Sequence, residues 1–188
     1  MRRLGILSST RGTHLSALID AISQKRLPAS IEVVVSNKMD AGILERARAN
    51  NLTAEFVDSR NLSREAFDEN ISTILHEHNV DYVVLIGYMK ILSNQFVSQW
   101  RNKIINVHPS LLPAFSGGMD ENVHRAVLAA SVRESGCTVH YVTEEIDAGP
   151  ILIQKKCSVY SDDTIESLKS RVQALESEAI IESLIQLG

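Results

Sequence analysis

Three short apolar runs, Leu4–Ser8, Ile31–Ser36 (rich in β-branched residues) and Tyr82–Gly87, constrain this chain most, because stretches of helical periodicity separate them. A continuous apolar run of this length between turn signals reads as a strand buried on both faces. Thr13–Lys25 then puts Leu15, Leu18, Ile19 and Ile22 on one helical face, and Ala41–Asn50 supplies a second helix. Ser63–His78 is a third, with Ser63 as its cap and Phe67, Ile71, Ile74 and Leu75 inward. Ala54–Asp58 is a weaker strand. Strands alternating with helices make βαβ units, and these predict a parallel sheet with helices on both faces.

The second half reads differently. Ile104–Val107 is a short strand entering His108-Pro109-Ser110-Leu111-Leu112-Pro113, where two prolines forbid regular structure. Helical signal resumes over Glu121–Val132, and Gly136–Val142 and Ile151–Tyr160 read as two strands in an antiparallel or mixed addition to the sheet. A last amphipathic helix starts near Asp162 or Asp163, with Ile165, Leu168, Val172, Leu175 and Ala179 spaced by three and four. The expected class is therefore α/β: a mostly parallel sheet with an antiparallel strand addition in the C-terminal half. At 188 residues, with 44% apolar and 22% charged, one domain accommodates it. A net charge of −4 argues against a nucleic-acid partner, and no apolar stretch approaches the roughly 20 residues of a membrane span. Cys137 and Cys157 form no CxxC motif, which fits a reducing cytoplasm.

Of the four prolines, three fall in two loops, NVHPSLLP and EEIDAGP, each following a strand. In doubly wound sheets ligands bind beyond the carboxyl ends of the strands. Asn106 and His108 alternate and so share a side if strand geometry continues through them, and Asp147 sits in a tight turn that could bring a carboxylate to the imidazole. A carboxylate favours the charged ring and orients it, and a neighbouring amide donates to a developing oxyanion. With no GxSxG nucleophile, this set suits acyl transfer to a nucleophile that the substrate brings, although Asn-x-His before a proline is also ordinary turn chemistry. The junction Ser8–Leu15 is small and hydroxyl-rich, so helix-start N–H groups there could cradle a phosphate, though it has neither GxGxxG nor GxxxxGK[ST]. His76 and His78 do not share a helix face, and His124 and His140 lack companion ligands at zinc spacing, so no metal is expected and His140 reads as a strand or surface residue. Both cysteines and Trp100 read as core, and Met89 as either core or ligand-lining.

The segments VVLIGYMKILS, IINVHPSLLPAF and HYVTEEIDAGPILIQ, with VVSNKMDAGILERARANN and LSREAFDENI before them, closely resemble the folate-dependent formyltransferases from Leu4 to about Ile180. The ordered set NxHPSLLP and DxGP is highly specific to that family. The resemblance implies a Rossmann-like fold and one formyltransferase domain over residues 1–188. The ribonucleotide-binding half would span about 1–100, and the catalytic and folate loops about 85–150. It implies transfer of the formyl group of 10-formyltetrahydrofolate, as co-substrate and without a metal, to the amine of 5-phosphoribosylglycinamide in purine synthesis. Asn106, His108 and Asp147 match the family's catalytic residues. Thr10, Arg11, Gly12, Thr13 and His14 match its phosphate loop, with Gln173 and Glu176 its further ribonucleotide contacts. Arg64, Met89, Lys90, Ile91 and Leu92, Asn106, and Thr143, Glu144, Glu145, Ile146 and Asp147 match its folate contacts.

Three departures accompany the match. The phosphate loop is poorer in glycine than the usual G-x-G-S-N, a longer segment Ala114–His124 replaces P-G-x-x-x-H, and the chain stops soon after its last helix. The length favours the free-standing ribonucleotide branch over branches with added domains. Hydrolysis of the formyl folate, formylation of another amine, and a silent folate- or nucleotide-binding module stay open, as does a homodimer.

Overall fold

The computed structural model describes residues 1–119 and 121–187. In chain order its elements are β1 Arg2–Ser8, α1 Thr13–Ser23, β2 Ala29–Ser36, α2 Gly42–Ala49, β3 Ala54–Phe56, α3 Arg64–Glu77 and β4 Tyr82–Leu85. There follow α4 Asn94–Gln99, β5 Ile104–His108, α5 Glu121–Ala129, β6 Glu134–Tyr141, β7 Ile151–Ser158 and α6 Ile165–Gln186. The strands form a mixed, mostly parallel sheet in the order β3-β2-β1-β4-β5-β6-β7, the α/β class expected. The chain divides into two compact units, Met1–Ile105 and Asn106–Gly188, and β5 carries the chain from one into the other.

In the first unit β1 is the middle strand. It pairs in parallel with β2 from Arg2↔Ala29 to Ser8↔Ser36 and with β4 from Leu4↔Tyr82 to Leu7↔Leu85, and β3 lies beyond β2. Leu4, Ile6 and Leu7 are fully buried, which is why β1 reads as a continuous apolar run and not as an alternation. Ser63 caps α3 by accepting the Ala66 N–H at 3.1 Å, as its position in the sequence implies. On the inner face of α3 the carboxylate of Asp68 is buried and accepts the Ser93 N–H at 2.5 Å, while burial pushes its pKa up. Trp100 is core, its indole N–H donating to Ser72 at 3.0 Å.

In the second unit β6 and β7 form an antiparallel pair, Glu134↔Ser158 to His140↔Ile151, against which α6 packs. The Thr138 hydroxyl on β6 donates to the Ser110 carbonyl at 2.7 Å and accepts the Leu112 N–H at 3.0 Å. Gln154 of β7 donates to the Leu112 carbonyl at 2.9 Å. These bonds fasten the proline turn that follows β5 to the β6–β7 pair. The turn contains a cis Leu112–Pro113 bond.

Several bounds differ from the sequence reading for local reasons. The strand β5 runs on to His108, one residue further, and β4 stops at Leu85 because the chain turns at Gly87. The last helix begins at Ile165, since Thr164 and Ser167 close a capping box just before it. Its buried stripe is Leu168, Val172, Glu176, Ala179 and Leu184; Ile165 and Leu175 are only half-buried. No helix among the described residues is long and apolar enough to cross a membrane.

Candidate active site

Strand geometry persists through residues 106–108, so Asn106 and His108 emerge on the same side of β5. His108 is 3% exposed. Its Nδ1 lies 3.3 Å from Asp147 Oδ2 and its Nε2 lies 3.0 Å from the Phe115 carbonyl oxygen. A carboxylate and a carbonyl can only accept, so the ring satisfies both when both of its nitrogens carry protons. In that doubly protonated form the ring would be held between the carboxylate and a peptide dipole.

Asp147 is in the left-handed region at φ 54, a conformation aspartate tolerates better than most residues. It reaches inward because Gly149 lies flat against the Tyr141 backbone, where an added Cβ would overlap the Tyr141 carbonyl. Its Oδ2 also accepts the Gly117 N–H at 2.8 Å. The segment between the proline turn and α5 thus touches the His–Asp pair twice, with a carbonyl on the imidazole and an amide on the carboxylate.

A fourth side chain completes the cluster. His140, buried on β6, donates through Nδ1 to the Tyr141 carbonyl at 2.8 Å. Burial lowers its pKa, the main effect, and outweighs the opposing pull of Asp147. The neutral ring presents Nε2 as an acceptor, which takes an N–H from the Asn106 amide at 3.2 Å, with Asp147 Oδ1 3.6 Å away. This fixes which end of the Asn106 amide carries the donors. The sequence reading left His140 as an ordinary strand or surface residue. It is on a strand, but it faces the other three, and only its place ahead of the DAGP turn hinted at this. The backbone groups of Phe115 and Gly117 had no residue-type signal at all.

In the first unit the phosphate-loop residues open α1. Gly12 is its N-cap at φ 64, and no side chain caps the helix. A Cβ at Gly12 would overlap the Ile43 side chain. Uncapped first-turn N–H groups and the positive end of the helix suit an anion. Arg11 and Thr13 are exposed and His14 is buried, and Arg46 of α2 binds the Ser16 hydroxyl at 2.8 Å on the same helix. Arg64 is exposed at the start of α3. Met89 and Lys90 are half-buried, Ile91 is exposed, and Leu92 is buried beyond the end of β4. In the second unit Thr143–Ile146 lead into Asp147 and are open to solvent or half-buried; Gln173 is half-buried, and Glu176 is buried on α6. Among the described residues no group of three or more His, Cys, Asp or Glu is placed to hold a metal ion.

The formyl transferase family model matches residues 2–184. The chain belongs to that family. It is 40% identical over 172 residues to the phosphoribosylglycinamide formyltransferase of Escherichia coli, covering 91% of this chain and 80% of that protein. It is 42% identical over 178 residues to the trifunctional purine biosynthetic protein adenosine-3 of Gallus gallus, covering 94% of this chain but 17% of that one. The chain therefore spans less than a fifth of the trifunctional relative. The crystal structure of glycinamide ribonucleotide transformylase 1 from Symbiobacterium toebii superposes with a TM-score of 0.94 at 40% identity, covering 98% of this chain and 86% of that one. That crystal structure and the chain described here share one architecture.

Proposed function

We propose that the chain transfers the formyl group of 10-formyltetrahydrofolate to the amine of 5-phosphoribosylglycinamide, with Asn106, His108 and Asp147 as its catalytic residues. The observation that carries this reading is the buried cluster in which an imidazole is held between a carboxylate and a carbonyl beside an oriented amide. Attack of the substrate amine on the formyl carbon makes a tetrahedral oxyanion. Asn106 gives one N–H to His140, and its second N–H is the donor to that oxyanion. His108 supplies positive charge. In the geometry described its Nε2–H rests on Phe115, so a direct bond to the formyl oxygen requires that carbonyl to give way. Asp147 keeps the ring charged and in place. Collapse of the intermediate breaks the bond from the formyl carbon to the folate nitrogen, and the proton lost by the attacking amine ends on that nitrogen. The protein supplies no nucleophile, and its own residues require no metal for these steps.

In the same reading the ribonucleotide phosphate lies against the backbone N–H groups of Arg11 to Thr13. The edge of the pterin takes its hydrogen bonds from the backbone of Met89–Leu92. Gln173 and Glu176 are the further ribonucleotide contacts. The Escherichia coli relative, whose name states formyl transfer to phosphoribosylglycinamide and whose length this chain largely covers, supports that part of the assignment. The test is turnover of 10-formyltetrahydrofolate with and without glycinamide ribonucleotide. Release of tetrahydrofolate that depends on the acceptor is expected. Release without acceptor would make the protein a hydrolase, and no release would leave a binding module.

A further inference from the structure

Ser9 is the first residue beyond β1, the strand with a parallel neighbour on each side, and it is 3% exposed. Sheet pairing has ended by this point: β1 and β2 part after Ser8↔Ser36, and β1 and β4 after Leu7↔Leu85. Three bonds from Ser9 nevertheless hold the departing chains together. Its N–H donates to the Gly87 carbonyl at 3.1 Å. Its hydroxyl accepts the Met89 N–H at 2.9 Å and donates to the Asn37 side-chain carbonyl at 2.6 Å. One buried hydroxyl therefore joins the ends of β2, β1 and β4.

What lies on either side of this knot gives it a role. On one side Thr10 follows directly and starts the phosphate loop, tied to α2 by the Ile43 N–H on the Thr10 carbonyl at 3.2 Å. On the other, Met89 starts the segment read as the pterin contact. We infer that Ser9 is a positioning residue that couples these two segments, so that filling the phosphate loop sets the Met89–Leu92 backbone in the posture that takes the folate. This rests on the reading above for the identity of the two ligands. The Ser9 hydroxyl touches neither of them; it acts through the Met89 N–H and is itself held by its bond to Asn37. With that bond in place, a shift of the loop at Thr10 moves Met89 with it. With alanine at position 9, the Met89 N–H and the Asn37 carbonyl both lose their partner, and of the three bonds only the one from the residue 9 N–H to the Gly87 carbonyl is left, two residues short of Met89. Coupling of this kind is reciprocal: each ligand tightens the other by the same factor.

Amide hydrogen exchange on the whole chain tests it, with wild type, Ser9→Ala and Ser9→Thr, each alone and with glycinamide ribonucleotide. In the wild type the ribonucleotide slows exchange at residues 10–14 and also at 87–90. In Ser9→Ala the free protein exchanges about tenfold faster at Met89, the change expected for one lost buried hydrogen bond. The ribonucleotide still slows 10–14 there but no longer slows 87–90, and its tightening of a folate analogue disappears. Ser9→Thr, which keeps the hydroxyl, restores both effects. If the wild type responds only at 10–14, or if Ser9→Ala transmits as well as the wild type, the coupling is refuted while the ribonucleotide reading stands. If neither segment responds, the ribonucleotide reading has failed and the coupling falls with it. Should Ser9→Ala not fold, Asn37→Ala frees the hydroxyl on one side and is expected to weaken the transmission to 87–90. Undiminished transmission in that variant refutes the coupling.

Discussion

Replacing Asp147 by Asn removes one charge from the cluster and little else. The asparagine carbonyl can still accept the Gly117 N–H, so the loop keeps its anchor. What is lost is the carboxylate 3.3 Å from His108 Nδ1, between side chains that are 4% and 10% exposed. At that separation an effective dielectric constant of about 20 gives a gross attraction of about 5 kcal/mol. Desolvation of both partners consumes much of it, and hydrogen bonds to charged groups net about 1.5–3 kcal/mol. If that amount is felt in the transition state, kcat falls about ten- to a hundredfold, with the KM for the ribonucleotide little changed. His108→Ala should lose more, since the oxyanion then has no cation beside it. The assay is steady-state formyl transfer by the two single variants and the double variant. Because the carboxylate acts through the ring, the double variant should be scarcely worse than His108→Ala. Losses that simply multiply would leave Asp147 as a turn residue and refute the mechanism.

The remaining predictions concern pH and backbone. His140 is held below its ordinary value near 6.5, so the unfolded chain takes a proton there before the folded chain does. Its contribution to stability is full above about pH 6.5 and falls as the pH drops toward the folded value; urea midpoints between about pH 7 and 5 should slope less in His140→Gln than in the wild type. Gly149→Ala should cut kcat more than either KM, because its Cβ would push on the Tyr141 carbonyl that holds His140, and crystal structures or kinetics would show it. Gly12→Val, strained at φ 64 and against Ile43, should raise the ribonucleotide KM far more than the folate KM. Equal losses for both substrates would make the loop merely structural.

Strands β1, β2 and β4 were legible because burial leaves short, nearly unbroken apolar runs between turn signals, whereas the half-exposed β3 left a weaker one. Asn106 and His108 were legible for a different reason: strand alternation places them together without tertiary knowledge. Asp147 was legible as a candidate from its tight turn before a proline, but only the resemblance paired it with His108, since nothing local says that a turn thirty-odd positions downstream bends toward β5. The strand place of His140 was legible but its part in the cluster was not, because a lone histidine in a strand pattern is ambiguous until its neighbours across the sheet are known. Ser9 and the amide of Gly117 lay beyond reach altogether. The role of each depends on which backbone group happens to face it, and residue identity does not encode that. Glu176 interrupts the apolar stripe of α6, and a periodicity reading simply stepped over it.

Phe115 holds its carbonyl against His108 in a left-handed conformation at φ 58, where a bulky residue is uncommon. That posture costs about 1–2 kcal/mol in a residue with a side chain. Glycine at this position would relieve it, but would return about 0.5–1 kcal/mol through the greater freedom of the unfolded chain. The net gain is only about 0.5–1 kcal/mol, and losing the half-buried phenylalanine ring offsets it. A library of variants sorted by melting temperature would therefore pass Phe115→Gly as unremarkable, while the same library sorted by turnover would discard it, because the carbonyl would no longer be pinned where the imidazole needs it. Selection for thermal robustness alone is blind at this residue, and drift there would erode the reaction long before it weakened the fold.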